Sequence, residues 1–472
     1  MKRIFSLPLL AVLLFVNQSI SGQKSIDKNS ITGSWMGKIN TGAIQLRIVI
    51  NLSVVGKDSL IATLDSPDQG AKGIKLGPVS NSGETLKISA GALQAEYNGT
   101  IKNDTLIEGI WKQSGASLDL NLVKLRTAFT LIRPQEPKPP FPYTSIDTTF
   151  TNDKVRIKLA GTLTIPRGTG PFPAVILITG SGAQNRNEEL MGHKPFWVIA
   201  DYLSRNGIAV LRYDDRGVGT SQGTQLNATS ADFATDVEAA FNFMKNFPKI
   251  KSEEIGLMGH SEGGLIAPIV ASSSIDIAFI VSLAGPGVTG QQIIIRQAQD
   301  IGKLSGLSEE KVRKSTETNK KLYSVLRKEK DDKKAEAKIL ALYKEILVKE
   351  KPPNEETEKA LAQLKATFGA ATYPWFRFFL FTDAATFWKK VTCPVLALNG
   401  DKDTQVNADE NLRSIEKTLK SAGNNSVQTI KLPGLNHLFQ HCKTGLPSEY
   451  GNIEETFSPE VLKIISDWIL AL

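Results

Sequence analysis

Glu254-Ile-Gly-Leu-Met-Gly-His-Ser-Glu-Gly-Gly-Leu-Ile-Ala267 is the stretch from which the rest of the chain can be read. Ile255, Leu257 and Met258 make an apolar strand, and Leu265, Ile266 and Ile269 make the apolar face of a helix, with only a few residues between them. A turn that tight puts Ser261 at its tip with φ at or near positive values. It leaves no room for side chains two positions before or after, and those positions are Gly259 and Gly263. G-x-S-x-G between a strand and a helix is a nucleophile elbow, which lifts a hydroxyl above the sheet and aims the following backbone N–H groups at the same point. Ser261 is the candidate nucleophile.

A serine hydroxyl is weak by itself, so a carboxylate and then a histidine are expected further along the chain. Pro394-Val-Leu-Ala-Leu-Asn-Gly400 reads as a buried strand followed by Asp401-Lys-Asp403, and Val427-Gln-Thr-Ile-Lys-Leu432 as a strand followed by Pro-Gly-Leu-Asn-His437. The chain has four histidines, so the choice of base is narrow. His260 is held beside the nucleophile and His193 lies upstream, which leaves His437 and His441. His437 follows its strand by a short loop and is preferred. Of the two acids, Asp403 is favoured over Asp401.

These motifs, with Thr179-Gly-Ser-Gly-Ala-Gln-Asn-Arg186 and Tyr213-Asp-Asp-Arg-Gly-Val-Gly-Thr-Ser221, form an ordered set. On them the chain, over roughly residues 145 to 472, resembles serine hydrolases of the α/β-hydrolase superfamily. It stands close to secreted bacterial carboxylesterases and serine-aminopeptidase-like hydrolases. The resemblance implies an α/β fold, an acid placed as in Gly400-x-x-Asp403, and hydrolysis of an ester or a short peptide through an acyl-enzyme. The loop opening Thr179-Gly-Ser-Gly departs from the His-Gly that begins it in many relatives.

Acyl transfer needs donors aimed at a developing oxyanion. The backbone N–H of Glu262 is one candidate, and the loop after the strand Pro173–Thr179 supplies the second, Gly182 first and Ser181 next. The Glu262 side chain is expected either to meet a substrate amine or to cap the elbow helix. Arg186, Asp214, Arg216 and Ser221 are expected to be architectural.

Lys2 and Arg3 precede the apolar run Ile4 to Val16, and Asn17-Gln-Ser-Ile-Ser-Gly22 follows, so residues 1–22 read as a secretory signal peptide. Its apolar run falls short of the roughly 20 residues of a membrane span. The expected destination is periplasmic or extracellular, without a stable membrane anchor. Removing Lys2 and Arg3 lowers the formal charge from +8 to +6. What remains is dispersed, and its densest part, Lys328 to Lys338, is interrupted by acids. That pattern argues against nucleic-acid binding.

Cys393 and Cys442 flank parallel strands near opposite sheet ends, about 20 Å apart at about 3.3 Å per residue, where a disulfide needs about 7 Å. Two free thiols are expected. Two cysteines and four histidines, scattered, make no metal cluster, and no cofactor is called for. No feature of the sequence sets an oligomeric state.

Residues 29–126 read as a small antiparallel β domain. Ile44, Leu46, Ile48, Ile50, Leu52 and Val54 alternate with mostly polar neighbours, and no helical run interrupts. Five prolines between Pro134 and Pro142 mark residues 127–144 as a stiff linker. From 145 to 472 strands alternate with helices, which predicts a mostly parallel sheet covered on both faces. The alternation breaks at about 287–390, read as a helical cap. At its end Tyr373-Pro-Trp-Phe-Arg-Phe-Phe-Leu-Phe381 gathers six aromatic rings. Trp375 and Phe379 are the candidate substrate-binding residues.

Overall fold

The structure is a computed structural model. It describes residues 28–472 except 41–44, 57–58, 70, 114–115, 128, 274–275, 351–360 and 362–373. The expected signal peptide, Ile44 and Tyr373 lie outside the described residues. Two compact units divide the chain: residues 1–66 with 71–129, and residues 67–70 with 130–472.

In the first unit the short helix α1 (Lys28–Ile31) leads into β1 (Gly33–Asn40), β2 (Gln45–Val55), β3 (Ser59–Ser66), β4 (Ala71–Lys75) and β5 (Val79–Ser82). Then come β6 (Thr85–Ala90), β7 (Ala95–Ile101), β8 (Leu106–Gln113), β9 (Ala116–Asp119) and β10 (Leu122–Lys124). All pairings are antiparallel, in the order β4-β3-β2-β1-β10-β8-β7-β6-β5 with β9 on β8. Alternate residues feed one core, in which Trp35, Tyr97, Trp111, Ile50, Leu120 and Leu122 are buried. The Trp35 indole reaches the Ile31 carbonyl at 2.8 Å, so its one polar atom is satisfied.

The second unit carries an eight-stranded sheet in the order β11-β12-β14-β13-β15-β16-β17-β18. Its strands are β11 (Thr144–Asn152), β12 (Ile157–Ile165), β13 (Phe172–Ile178), β14 (Ala209–Tyr213), β15 (Ile250–His260), β16 (Ile280–Leu283), β17 (Val395–Gly400) and β18 (Val427–Leu432). The sheet is mixed. Strands β14, β13, β15, β16, β17 and β18 run parallel, and an antiparallel hairpin, β11 with β12, joins the edge at β14. Most of β11 is exposed and shows no apolar period, so no local pattern marks it as a strand.

Strand β13, in the middle of the sheet, is apolar at every position because both faces are covered. Ala174, Ile176 and Ile178 of β13 join one core with Val237, Ala240 and Phe241 of α3 (Ser230–Lys245) and Leu265 and Ile266 of α4 (Gly263–Ala271). Val175 and Leu177 face the other, with Ile199 and Leu203 of α2 (Pro195–Arg205) and Val461 and Ile465 of the last helix, Pro459–Leu470. At about 25 cal/mol per Å² of apolar surface, this two-sided burial is the main stabilising term of the unit.

Between β16 and β17 most of the described chain is helical: α5 (Gly290–Leu304), α6 (Glu309–Lys328), α7 (Asp332–Glu350), α8 (Pro374–Phe381) and α9 (Ala385–Trp388). Leu322, Leu326, Ile339 and Leu380 give the insertion a small core of its own. Ser308 caps α6, accepting the Lys311 amide, as its position in the sequence suggests.

The proline-rich stretch is bound to the second unit. Arg133 donates to the carbonyls of Met191, Gly192, Gly451 and Ile453 at 2.9–3.2 Å. The Gln135 amide accepts from Thr456 and Phe457 and donates back to the Phe457 carbonyl. Proline content marks an extended segment, but it does not show what such a segment lies against. Loss of the Arg133 fork leaves several carbonyls short of a charged donor, so Arg133→Ala is expected to cost about 2–3 kcal/mol. Urea unfolding of the full chain and of a protein beginning at Thr130 checks this. Equal midpoints for variant and parent would show the stretch to be a passive spacer.

Candidate active site

Strand β15 ends at His260, α4 begins at Gly263, and Ser261 between them sits at φ +53°. A side chain at Gly259 would collide with the backbone of Gly263, and one at Gly263 with the Ile178 carbonyl. The two glycines are therefore a packing requirement of the turn. Ser261 N–H donates to the Leu283 carbonyl at 2.8 Å, which fixes the turn to the neighbouring strand end.

Two strands further along, at the same sheet end, Asp403 follows β17 and His437 follows β18. His437 Nδ1 lies 2.7 Å from Asp403 Oδ2, with both side chains buried. The other Asp403 oxygen accepts the amides of Gln405 and Val406 at 2.7 and 2.9 Å. A carboxylate so held only accepts, which puts the proton on Nδ1 and leaves Nε2 as the basic nitrogen. Asp401 instead accepts the Gly434 amide. His441 is largely exposed and paired with Glu455, while buried His193 meets Thr456, Tyr450 and Gln440. His437 and Asp403 are thus the pair that the sheet brings together. Among the described residues no hydrogen bond joins Ser261 Oγ to His437. The link between their loops runs through His260, whose Nε2 is 2.9 Å from the His437 carbonyl and whose ring centre is 4.8 Å from that of His437.

The loop after β13 is tied down by acids that the sequence reading passed over. Asp215 accepts the Thr179 hydroxyl at 2.7 Å and the Gln184 amide at 3.0 Å. Glu188 accepts the Gly180 amide at 2.6 Å. A Cβ on Gly180 would lie 3.3 Å from that of Ser261, so the loop passes directly beside the serine. Gly182 takes φ +99°, and its carbonyl accepts from Gln225. The second acid of the Asp214-Asp215 doublet was the available signal for Asp215. Glu188 had none beyond following the loop. Asp214 pairs with Arg186 at 2.7 Å, Arg216 with Asp236 at 2.7 Å, and Ser221 bridges the Asp214 carbonyl and the Ala160 amide. These are the architectural contacts expected of them.

Glu262 neither caps its helix nor stands free. One carboxylate oxygen accepts both Ser230 Oγ at 2.6 Å and Trp375 Nε1 at 2.7 Å. Burial raises its pKa, and the two hydrogen bonds offset part of that rise. Trp375 stacks on Phe379, ring centres 5.8 Å apart and ring planes nearly parallel. Phe379 belongs to the main core and is buried, whereas Trp375 is partly exposed.

An α/β sandwich with a serine on a strand–helix elbow and a buried His–Asp pair at adjoining strand ends defines an α/β hydrolase. A family model described as Hydrolase_4, serine aminopeptidase, S33, matches residues 196–441, over half the chain, and the chain belongs to that family. The esterase EstD of Thermotoga maritima is 26% identical over 313 residues, 65% of this chain and 65% of its own. The peroxisomal succinyl-coenzyme A thioesterase of Mus musculus is 28% identical over 137 residues, 29% of each chain. The chain thus spans less than two thirds of the length of these curated relatives. A solved Pyrococcus furiosus esterase, 15% identical, aligns with a TM-score of 0.43 over 73% of this chain and 99% of that one.

Burial, with the charges of Glu188 and Glu262, pushes the Asp215 carboxyl up to about 7, against the pull of its Thr179 and Gln184 donors. The folded state then holds a proton that the unfolded state releases near its ordinary value of 3.8. Stability from this group is greatest below that value and is lost as pH rises toward about 7. Asp215→Asn is expected to flatten this part of the profile. Denaturation midpoints of the two proteins from pH 4 to 8 test it, and parallel profiles would count against the assignment.

Proposed function

We propose that the protein is an exported serine esterase that hydrolyses small carboxylic esters through an acyl-enzyme. The observation that carries this reading is the buried His437–Asp403 pair at the strand ends beside the Ser261 elbow. Ser261 Oγ attacks the ester carbonyl as His437 Nε2 takes its proton, and Asp403 holds the ring and stabilises the imidazolium. The alcohol leaves with that proton. Water, activated by the same histidine, then releases the acid. Separation of Ser261 from His437 before substrate arrives is common in such sites, whose hydrogen bonds tighten in the complex.

The oxyanion forms opposite the Glu262 amide at the N-terminus of α4. For the second donor the candidates are the backbone N–H groups of Gly182 and Ser181, in the loop whose Gly180 packs on Ser261. The helical insertion acts as a cap, with the Trp375–Glu262 hydrogen bond as its contact with the elbow. Export follows from Lys2-Arg3 and the apolar run behind them.

The name of the family model favours a second reading, in which the same machinery cleaves amino-acid amides or short peptides. Aryl esters of graded acyl length beside amino-acid anilides decide between them, with faster turnover of the anilides selecting the peptidase. Ser261→Ala and His437→Ala are each expected to lower turnover by about 10⁶-fold, and Asp403→Asn by about 10⁴-fold. Damage from Asp401→Asn in place of Asp403→Asn would reassign the acid.

Trp375→Ala removes a ring and a donor to Glu262. It is expected to change acyl-length preference by about 10- to 200-fold between neighbouring lengths while acetyl esters still turn over. An unchanged preference with a lower melting temperature would reduce Trp375 to packing.

A further inference from the structure

Beside Ser261 lies a buried imidazole that the reaction as written does not use. His260, the last residue of β15, has Nδ1 3.0 Å from Glu188 Oε1 and Nε2 2.9 Å from the His437 carbonyl, and both side chains are under a tenth exposed. Glu188 Oε1 also accepts the Gly180 amide at 2.6 Å.

Hydrogen-bond bookkeeping sets the protonation. A carbonyl only accepts, so Nε2 carries a proton. The Nδ1···Oε1 contact needs a second proton, and an oxygen already accepting a backbone amide at 2.6 Å is favoured as carboxylate. A neutral imidazole has only one N–H. With Glu188 as the carboxylate, His260 satisfies both contacts only as an imidazolium.

Three segments meet on this pair. Glu188 and Gly180 belong to the loop after β13 that runs beside Ser261, His260 to the elbow, and His437 to the loop after β18. We propose that His260 and Glu188 form a positioning dyad for the hydrolysis, a single buried ion pair that keeps the oxyanion loop and the base loop in register with Ser261. This rests on the serine-hydrolase reading above.

The groups facing His260 agree with this. Burial disfavours its charge, but the Glu188 carboxylate, the His437 carbonyl and the more distant Asp403 charge outweigh that and hold its pKa above the ordinary value. The His437 ring stacks obliquely beside it. Loss of the dyad's proton leaves one N–H for two acceptors, so either the Glu188 or the His437 contact must open. Turnover therefore acquires an alkaline limb that belongs to the dyad. In Glu188→Gln the amide oxygen can still accept from Gly180, but the charge that retains the second His260 proton is gone.

Two measurements on the full chain test this. With ¹⁵N-labelled histidine, both His260 ring nitrogens are expected to be protonated at pH 8, the signals being assigned by their loss in His260→Gln. A neutral ring there overturns the proposal, and this readout needs neither activity nor a folded Glu188 variant. In kinetics with an acetyl aryl ester, Glu188→Gln is expected to lower kcat by about 10- to 100-fold, as small misplacements of reacting groups do. KM should stay within about twofold, and the alkaline limb should move to lower pH. Wild-type kcat and an unmoved limb in folded Glu188→Gln also overturn it. Failure of the underlying reading looks different: Ser261→Ala would then keep its activity.

Discussion

The second unit depends on one steric constraint, the left-handed turn at Ser261. A strand can pass into a helix within two residues only if the helix backbone presses on the strand end, and at Gly259 and Gly263 no Cβ fits between them. The serine is paid for in backbone strain, of order 1–3 kcal/mol for a non-glycine residue at φ +53°. The surrounding packing holds it there: Ile255 and Leu257 before the turn and Leu265 and Ile266 after it are buried in one core. Everything else in the site is arranged around the point at which that hydroxyl emerges.

This constraint explains which parts of the architecture were legible in the sequence. A buried parallel strand must be apolar throughout, and a covering helix must carry an apolar stripe. Strands β13 and β17, the end of β15 and helix α4 are legible for that reason. Strand β11 is not, because most of it is exposed, and the sheet is mixed at its edge. Composition likewise marked the proline stretch as extended. Its binding to the second unit depends on Arg133 and Gln135 reaching backbone more than 300 residues away in the chain, at Gly451 to Phe457, which no local pattern can report.

The site divides in the same way. Serine, acid and histidine were legible because each occupies a fixed place just past a strand end, and the fold supplies the strands. Choosing Asp403 over Asp401 was harder, since both lie in one short loop. The structure separates them by geometry, with Asp403 on the His437 ring and Asp401 on the Gly434 amide. Glu188, Asp215 and Ser230 were not legible. Each works through a partner brought close only by folding: Gly180 and His260 for Glu188, Thr179 and Gln184 for Asp215, Glu262 for Ser230. An acid in a loop ordinarily signals solvent, so the burial of Glu188 leaves no trace in composition.

Those hidden residues give the site its electrostatic character. Glu188 and Glu262 lie close enough to Asp215 for their charges to add to the rise that burial gives its pKa. Burying several carboxylates together is costly unless each is supplied with donors. Here each has them: the Gly180 amide and the His260 ring, the Thr179 hydroxyl and the Gln184 amide, the Ser230 hydroxyl and the Trp375 indole. The donors come from different segments, namely the loop after β13, the elbow, helix α3 and helix α8. Satisfying the acids therefore fixes those segments relative to one another. The cost of burying negative charge beside Ser261 is offset only when the loop, the elbow and the aromatic helix are all in place, so these carboxylates act as conditions on the geometry of the site.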